Sequence, residues 1–345
     1  MDAPVATCAP EGPLFAYGFS ARKRSLLKSF TQRSDIRWIR DGAAVQPGAG
    51  LLLWGSGPVP ARLPQGVRLT RVEDGFLRSV GLGADLTRPL SWVFDDVGMY
   101  YDQTQPSALE NLLGTGCRDA PQLIRAAKLR ERIVLAGLTK YNLEARSWKR
   151  PDNGRLVVLV PGQVETDASI AYGTVDVRTN LDLLKAVRAE RPQAWVVYKP
   201  HPDVVAGLRH AGRQEDQVGR YCDEVIQTCS MHDLLQQVDE VHLMTSLTGF
   251  EALMRGKPVF CYGLPFYAGY GLTHDRHRHP RRAPGLTLDA LVACALIEYP
   301  VYLSRVTKEV CPPEQVLDEL IAWREARPHG IAGWRKWLRP LISRA

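Results

Sequence analysis

Leu156-Val157-Val158-Leu159-Val160 decides the fold. Five consecutive apolar residues, three of them valine, follow the breaker cluster Pro151-Asp152-Asn153-Gly154 and run into Pro161-Gly162. A run without polar alternation is buried on both faces, the habit of a strand inside a parallel sheet with helices on each side. Downstream, the spacing predicts a helix over 180–191, a second such strand at Ala194-Trp195-Val196-Val197-Tyr198, a third over 240–243, a helix over 249–255 and a fourth strand at Pro258-Val259-Phe260-Cys261. Strands alternating with helices in this way are crossover units of a parallel sheet. Residues 151–285 therefore read as a Rossmann-like module, with the breaker cluster as its boundary.

Upstream, short apolar runs bounded by turn residues continue the pattern. Leu14 to Tyr17, Ile36 to Ile39 and Leu51 to Trp54 read as strands, Arg22 to Phe30 as a basic helix, and Pro121 to Tyr141 as an apolar-faced helix. Residues 1–150 are thus expected to form a first Rossmann-like α/β module. Residues 286–345 read as C-terminal helices over 286–297 and 313–324. Their end, Trp334-Arg335-Lys336-Trp337, is expected either to pack back across the modules or to touch a membrane surface. The 345-residue length agrees with two domains at about 150 residues each. A hydrophobic fraction of 45% with 23% charged residues excludes wholesale disorder and a fibrous protein. Lys and Arg number 44 against 37 Asp and Glu, a net +7 that suits an anionic partner. No nucleic-acid-binding motif accompanies that charge. Seven cysteines, an odd number without a CxxC pair, favour reduced cytosolic thiols over a disulfide framework. Met1 to Pro13 lacks a secretory leader pattern, and no stretch approaches the ~20 apolar residues of a membrane span. A cytoplasmic protein, peripheral at most to the inner face of the inner membrane, is expected.

Open parallel sheets bind ligands at the carboxyl ends of their strands, which selects the loops to read. After the first buried strand come Gly162, Gln163 and the acids of Glu165-Thr166-Asp167. Asp167 is placed to act as nucleophile, base or metal ligand, or simply to cap a helix starting near Ser169. After the second strand, Lys199-Pro200-His201-Pro202 fixes an imidazole between two prolines beside a lysine, an arrangement suited to a phosphate. After the third, Ser246-Leu247-Thr248-Gly249 introduces a helix start, with Glu251 in its first turn. Free N–H groups there accept an anion, and Glu251 can hold a ribose. GxxxxGK[ST] and GxGxxG fingerprints are absent, which disfavours a P-loop nucleotidase and an ordinary NAD site.

In the first half the densest polar cluster is Arg71-Val72-Glu73-Asp74-Gly75-Phe76-Leu77-Arg78-Ser79, read as a loop that supplies Glu73 as a base. Asp95-Asp96 invites a metal, but no third ligand has a characteristic spacing. His274, His277 and His279 are interleaved with arginines that would repel a cation, and read as a basic surface loop near an acidic substrate or a membrane. No metal site is expected.

GFSARKR (18–24), EDGFLRSVGLGADLTRPLS (73–91), DDVGMYYD (95–102), PGQVETDASI (161–170), YKPHPDV (198–204), TSLTGFEALMRGKPVFCYGLPFYAGYGLT (245–273) and RAPGLTLDALVACALIEYP (282–300) together resemble the KpsC family of capsule polysaccharide biosynthesis proteins, over about Ala16 to Tyr302. That resemblance implies a retaining β-Kdo glycosyltransferase, a GT-B-like pair of Rossmann-like modules facing across a cleft. It implies CMP-Kdo as donor, a Kdo-bearing phospholipid or oligosaccharide as acceptor, and no cofactor. Full-length members often carry two such modules, and this chain has room for one. By the matching motifs, Asp167 would be the nucleophile, Glu73 the acid/base partner, and His201 with Lys199 the phosphate ligands. Gly162, Gln163, Ser246, Leu247, Thr248, Gly249 and Glu251 would hold the nucleotide. Retention requires two inversions, hence two acids, and Kdo itself carries a carboxylate at its anomeric carbon. Cations should offset the repulsion, and Arg71, Arg78 and Arg178 are the candidates near the acids; Asp74 and Ser79 join them as expected substrate-binding residues. Competing readings are a transferase with another donor, CMP-sialic acid or a UDP-sugar, and a non-catalytic capsule assembly module.

Overall fold

A computed structural model describes residues 10–81, 87–117, 119–140, 142 and 147–326. The chain builds two α/β units, each around its own sheet. The first sheet takes β1 (Leu14–Tyr17), β2 (Arg37–Trp38), β3 (Gly50–Trp54), β4 (Arg68–Asp74) and β5 (Ser91–Asp95). The second takes β6 (Val157–Pro161), β7 (Trp195–Lys199), β8 (Glu224–Val225), β9 (Glu240–Leu243), β10 (Val259–Cys261) and β11 (His274–Asp275). The chain then returns, and β12 (Pro300–Leu303) and β13 (Val310–Cys311) extend the first sheet in the order β13-β12-β5-β4-β3-β1-β2. The sequence reading of 286–345 as helices alone misses these two strands. They hold four and two residues, β13 at the edge of the sheet and β12 between it and β5, too short to carry the long apolar run that marks β6.

The second sheet is parallel throughout, in the order β11-β10-β9-β6-β7-β8. The alternation in β6 shows why an unbroken apolar run belongs there. Val157 and Leu159 enter one hydrophobic core, Val158 and Val160 another, and all four are fully buried. From β6 the chain proceeds outward through β7 to β8, then crosses back to place β9 on the other side of β6. The strand order therefore reverses between β6 and β9, and a crevice opens at their carboxyl ends.

Helices cover both sheets: α1 (Ala21–Thr31), α2 (Ala108–Thr115), α3 (Ala120–Leu135), α4 (Ala168–Gly173), α5 (Asn180–Glu190), α6 (Pro202–Val205), α7 (Met231–Gln237), α8 (Thr248–Met254), α9 (Leu288–Val292, continued by a π-turn over Ala293–Glu298) and α10 (Pro313–Glu325). Local chemistry sets their starts. Asp119 accepts from the N–H of Gln122 with Pro121 in the first turn of α3, and Thr179 accepts from the N–H of Asp182 to open α5. Among the described residues no helix is long and apolar enough to cross a membrane.

The two units share one hydrophobic core. Phe76, just past β4, stacks on Phe266 of the second unit (centroids 4.8 Å apart) and approaches Phe250 of α8 at 6.2 Å. Tyr100 closes edge-on against Phe76 at 5.0 Å and Phe266 at 6.0 Å. A polar clasp lies alongside. Glu110 of α2 receives Arg281 and Arg282, and Arg282 also bonds the carbonyls of Pro265 and Ala268. Asp176 takes Arg276 and His277, and His279 is buried, its imidazole pulled down to about 4 chiefly by that burial. The histidine-arginine segment read as a basic surface loop is thus largely consumed in internal pairing, a role that depends on acids far away in sequence. Phe76→Ala is expected to cost about 3–5 kcal/mol, measured as a lower denaturant midpoint of the whole chain.

Candidate active site

The crevice at the β6/β9 reversal is a cavity of about 250 Å³ between the two units. The strand-end loops form its second-unit wall: Gly162, Gln163 and Asp167 after β6, Lys199 and His201 after β7, Ser246, Leu247, Thr248 and Glu251 after β9. Gly75, Phe76, Tyr100, Tyr101, Thr139 and Lys140 face them from the first half of the chain.

The loops are bolted together. Gln163 donates from Nε2 to the Thr245 hydroxyl (2.9 Å) and accepts the Thr245 N–H at Oε1 (2.9 Å), while its own N–H goes to Asn180 (2.9 Å). It therefore ties the two strand ends on either side of the reversal. Gly162 is required by close approach: a Cβ there would lie 2.5 Å from the Tyr198 hydroxyl and 3.2 Å from the Pro200 Cα. Gly249 is crowded likewise, since a Cβ would overlap the hydroxyl of Tyr267, which donates to the Ser246 carbonyl (2.5 Å). The Ser246 hydroxyl accepts the Thr248 N–H at 3.2 Å and donates to the Thr248 hydroxyl at 3.1 Å, shaping the turn into α8. Glu251 is buried, which pushes its carboxyl up, and it accepts the Lys140 N–H from the first half (2.7 Å).

Asp167 occupies the N-cap position of α4 but makes no side-chain cap bond. Its carboxylate meets Arg209 instead and keeps 40% side-chain exposure at the cavity wall. Capping therefore does not account for the residue. His201 caps α6, its Nδ1 accepting the Asp203 N–H at 3.1 Å. With Nδ1 an acceptor, the neutral ring carries its proton on Nε2. Burial, then the charges of Lys140, Arg209 and Lys199, draw the imidazole down to about 4. The ring is thus a neutral hydrogen-bond donor, and the charge beside it comes from Lys199, itself lowered by burial.

Glu73 sits on strand β4 and not on a loop, in register opposite Val93 of β5. It stands behind the cavity-lining Tyr101 and Lys140. Gly55 is wedged between them: a Cβ there would lie 3.3 Å from Glu73 Oε2 and 3.8 Å from the Tyr101 hydroxyl. Burial first, then the charge of Asp74, pushes Glu73 up to about 7, against the opposing pull of the Asp74 N–H, Lys23 and Lys140. A carboxyl poised near neutrality exchanges protons readily.

Glu73 itself does not line the cavity, and neither do the other candidates of the first half or Arg178. Arg71 is bonded to the carbonyls of Gly55 (2.8 Å) and Gly57 (3.0 Å). Arg78 is buried, pairs with Asp74 (2.7 Å) and donates to Ser79 (3.0 Å), whose hydroxyl bonds the Gly81 carbonyl (3.0 Å). Asp74 also takes the indole N–H of Trp92 (3.1 Å). These groups brace the turn after Glu73. Arg178 lies exposed beside the Val175 carbonyl. Asp95 is filled by the N–H groups of Val97, Gly98 and Ala108 and by the Tyr299 hydroxyl, which leaves it a turn-former. Three contributors carried no sequence signal: Arg209, the Gln227–Met231 turn after β8, and Lys140 in the crossing segment.

Comparison with known proteins gives the family. Residues 60–146 and 127–302 match the family described as capsule polysaccharide biosynthesis protein. The chain belongs to the KpsC family of capsule polysaccharide biosynthesis proteins. It is 42% identical over 320 residues to the capsule polysaccharide modification protein LipA of Neisseria meningitidis, covering 90% of this chain and 46% of LipA. It thus spans about half the length of that relative. It is 42% identical to the lipopolysaccharide-processing protein LpsZ of Rhizobium meliloti, over 84% of this chain and 70% of LpsZ. Two solved structures from Thermosulfurimonas dismutans KpsC superpose well. The beta Kdo 2,7 transferase has a TM-score of 0.77 at 38% identity, covering 91% of this chain and 100% of that one. The beta Kdo 2,4 transferase has a TM-score of 0.80 at 32% identity, covering 90% and 99%.

Gly162→Ala is expected to destabilise the family fold here by about 1–3 kcal/mol through overpacking, measured by chemical denaturation.

Proposed function

We propose that this chain is a retaining β-Kdo transferase that moves Kdo from CMP-Kdo to a Kdo-terminated lipid or oligosaccharide acceptor in capsule polysaccharide synthesis, working across a GT-B-like cleft at the cytoplasmic membrane face. The observation that carries the reading is Asp167. Its carboxylate is spared from the cap bond its position offers and faces a cavity whose other wall is backed by a carboxyl poised near neutrality. The likeness over nine-tenths of the chain to two Kdo transferases supports the substrate.

The residues then divide the reaction as follows. A carboxylate oxygen of Asp167 attacks the anomeric carbon, the bond to the phosphate oxygen breaks, and CMP departs with the electron pair. His201 donates Nε2–H to the departing phosphate, and Lys199 offsets its charge. The acceptor hydroxyl next attacks the same carbon from the face CMP vacated. Its proton passes to Glu73, and Asp167 leaves with the electrons it brought. Two inversions retain the configuration.

Asp167→Asn should abolish transfer and leave CMP affinity unchanged. Mass spectrometry of the unsubstituted chain with CMP-Kdo and no acceptor should find one Kdo added at Asp167; full transfer by the variant would remove the assignment. Because Glu73 acts in its ionised form and ionises near 7, transfer to acceptor should rise from pH 6 to pH 8. Glu73→Gln should flatten that limb, slow transfer about 100-fold or more, and let the Kdo adduct accumulate. Pre-steady-state rates across this pH range provide the check.

A further inference from the structure

Asp167 does not stand open at the wall of the cavity. Its Oδ1 is in contact with Nη2 of Arg209. Arg209 leaves the α6 turn, where its own N–H and that of Leu208 both bond the Asp203 carbonyl (3.1 and 2.8 Å). The turn that His201 caps therefore also aims the guanidinium across the loop after β6. The two side chains keep 46% and 40% of their exposure, so the pair stays open to solvent, with Asp167 on the lining of the cavity. An exposed ion pair of this kind holds only weakly and is readily exchanged.

The incoming donor poses an electrostatic problem. A sugar with a carboxylate on its anomeric carbon brings a negative charge against an anionic nucleophile, and in a partly desolvated cleft like charges a few ångströms apart repel strongly. Arg71 and Arg78 are bonded inside the first unit, and Arg178 lies at the surface beside a carbonyl. Arg209 is already at the nucleophile, and a guanidinium fork matches a carboxylate with two parallel bonds.

We propose that Arg209 is the carboxylate-recognition residue of this site. It holds Asp167 in the unliganded protein and passes to the carboxylate of the donor sugar as the donor enters, which frees the nucleophile and offsets the repulsion. The inference rests on the transferase reading above. It separates the two parts of the donor: the nucleotide owes its affinity to the strand-end loops, and the sugar acid owes its affinity to Arg209.

Calorimetric titration of the full chain with CMP and with CMP-Kdo tests it. Arg209→Gln should weaken CMP-Kdo binding about tenfold or more while CMP stays within about twofold. Arg209→Lys should restore part of the loss. Asp167→Asn should tighten CMP-Kdo binding by releasing Arg209, and that gain should vanish when Arg209→Gln is added, a non-additive cycle that a merely structural arginine would not produce. An equal loss for both ligands in Arg209→Gln, or undiminished CMP-Kdo affinity, overturns the assignment and leaves the transferase reading standing. If the unsubstituted protein binds CMP but no CMP-Kdo, the transferase reading falls and this inference falls with it.

Discussion

The stacked contact between Phe76 and Phe266, sealed by Phe250 and Tyr100, is the constraint on which the rest of this structure depends. The cavity is assembled from two sheets that never pair with each other. The proposed chemistry requires β4, which carries Glu73, to stay at a fixed place relative to the exit of β6, which leads to Asp167. Phe76 is three residues beyond Glu73 and projects into the second unit, so burying its ring positions the acid as well as the core. Aromatic rings suit this task because they bury a large area with few rotatable bonds and prefer specific offset or edge-on geometries. The ion pairs around the seam, Arg281 and Arg282 on Glu110 among them, fix orientation more than they add stability.

The electrostatics of the site follow from where water is excluded. Glu73 is raised because burial disfavours its charge, and His201 is lowered for the same reason with three cations nearby. One desolvated cleft thus yields a carboxyl that holds a proton near neutrality and an imidazole that does not. The ionised form of Glu73 is the costly one. Its folded-state ionisation lies above the unfolded value, so stability declines as pH rises from about 4.5 towards 7 and stays lower beyond it. Conformational stability is thereby given up at the pH where the proposed transfer needs a base. Asp167 is set differently, half-exposed and in contact with the guanidinium of Arg209.

Much of this was legible beforehand where the signal was local. The apolar run of β6 predicted a two-sided burial that its valines and leucine do show, and the second-unit loops named from strand ends all meet at one cavity. The Glu73 segment was misread as a loop because Arg71-Val72-Glu73-Asp74 carries a strand's polar-apolar alternation over too few residues to stand out among charges. The strands β12 and β13 escape a sequence reading since, at four and two residues, they are stabilised by the sheet they join and are too short to show a pattern of their own. The arginines were the least legible. Arg71, Arg78 and Arg178 are near the acids in sequence, yet the one in contact with Asp167 is Arg209, delivered by a turn 42 residues downstream.

By itself the sequence determined the alternation of strand and helix, the parallel second sheet and the residues at its strand ends, because burial periodicity and turn chemistry act over a few neighbouring residues. Only the tertiary structure decided which groups meet: Glu73 behind the cavity wall at Tyr101, Lys140 against Glu251, Arg209 on Asp167, and the C-terminal segment within the first sheet. Charge pairing and desolvation depend on distance in space, and a long side chain can serve any partner that folding brings within its reach.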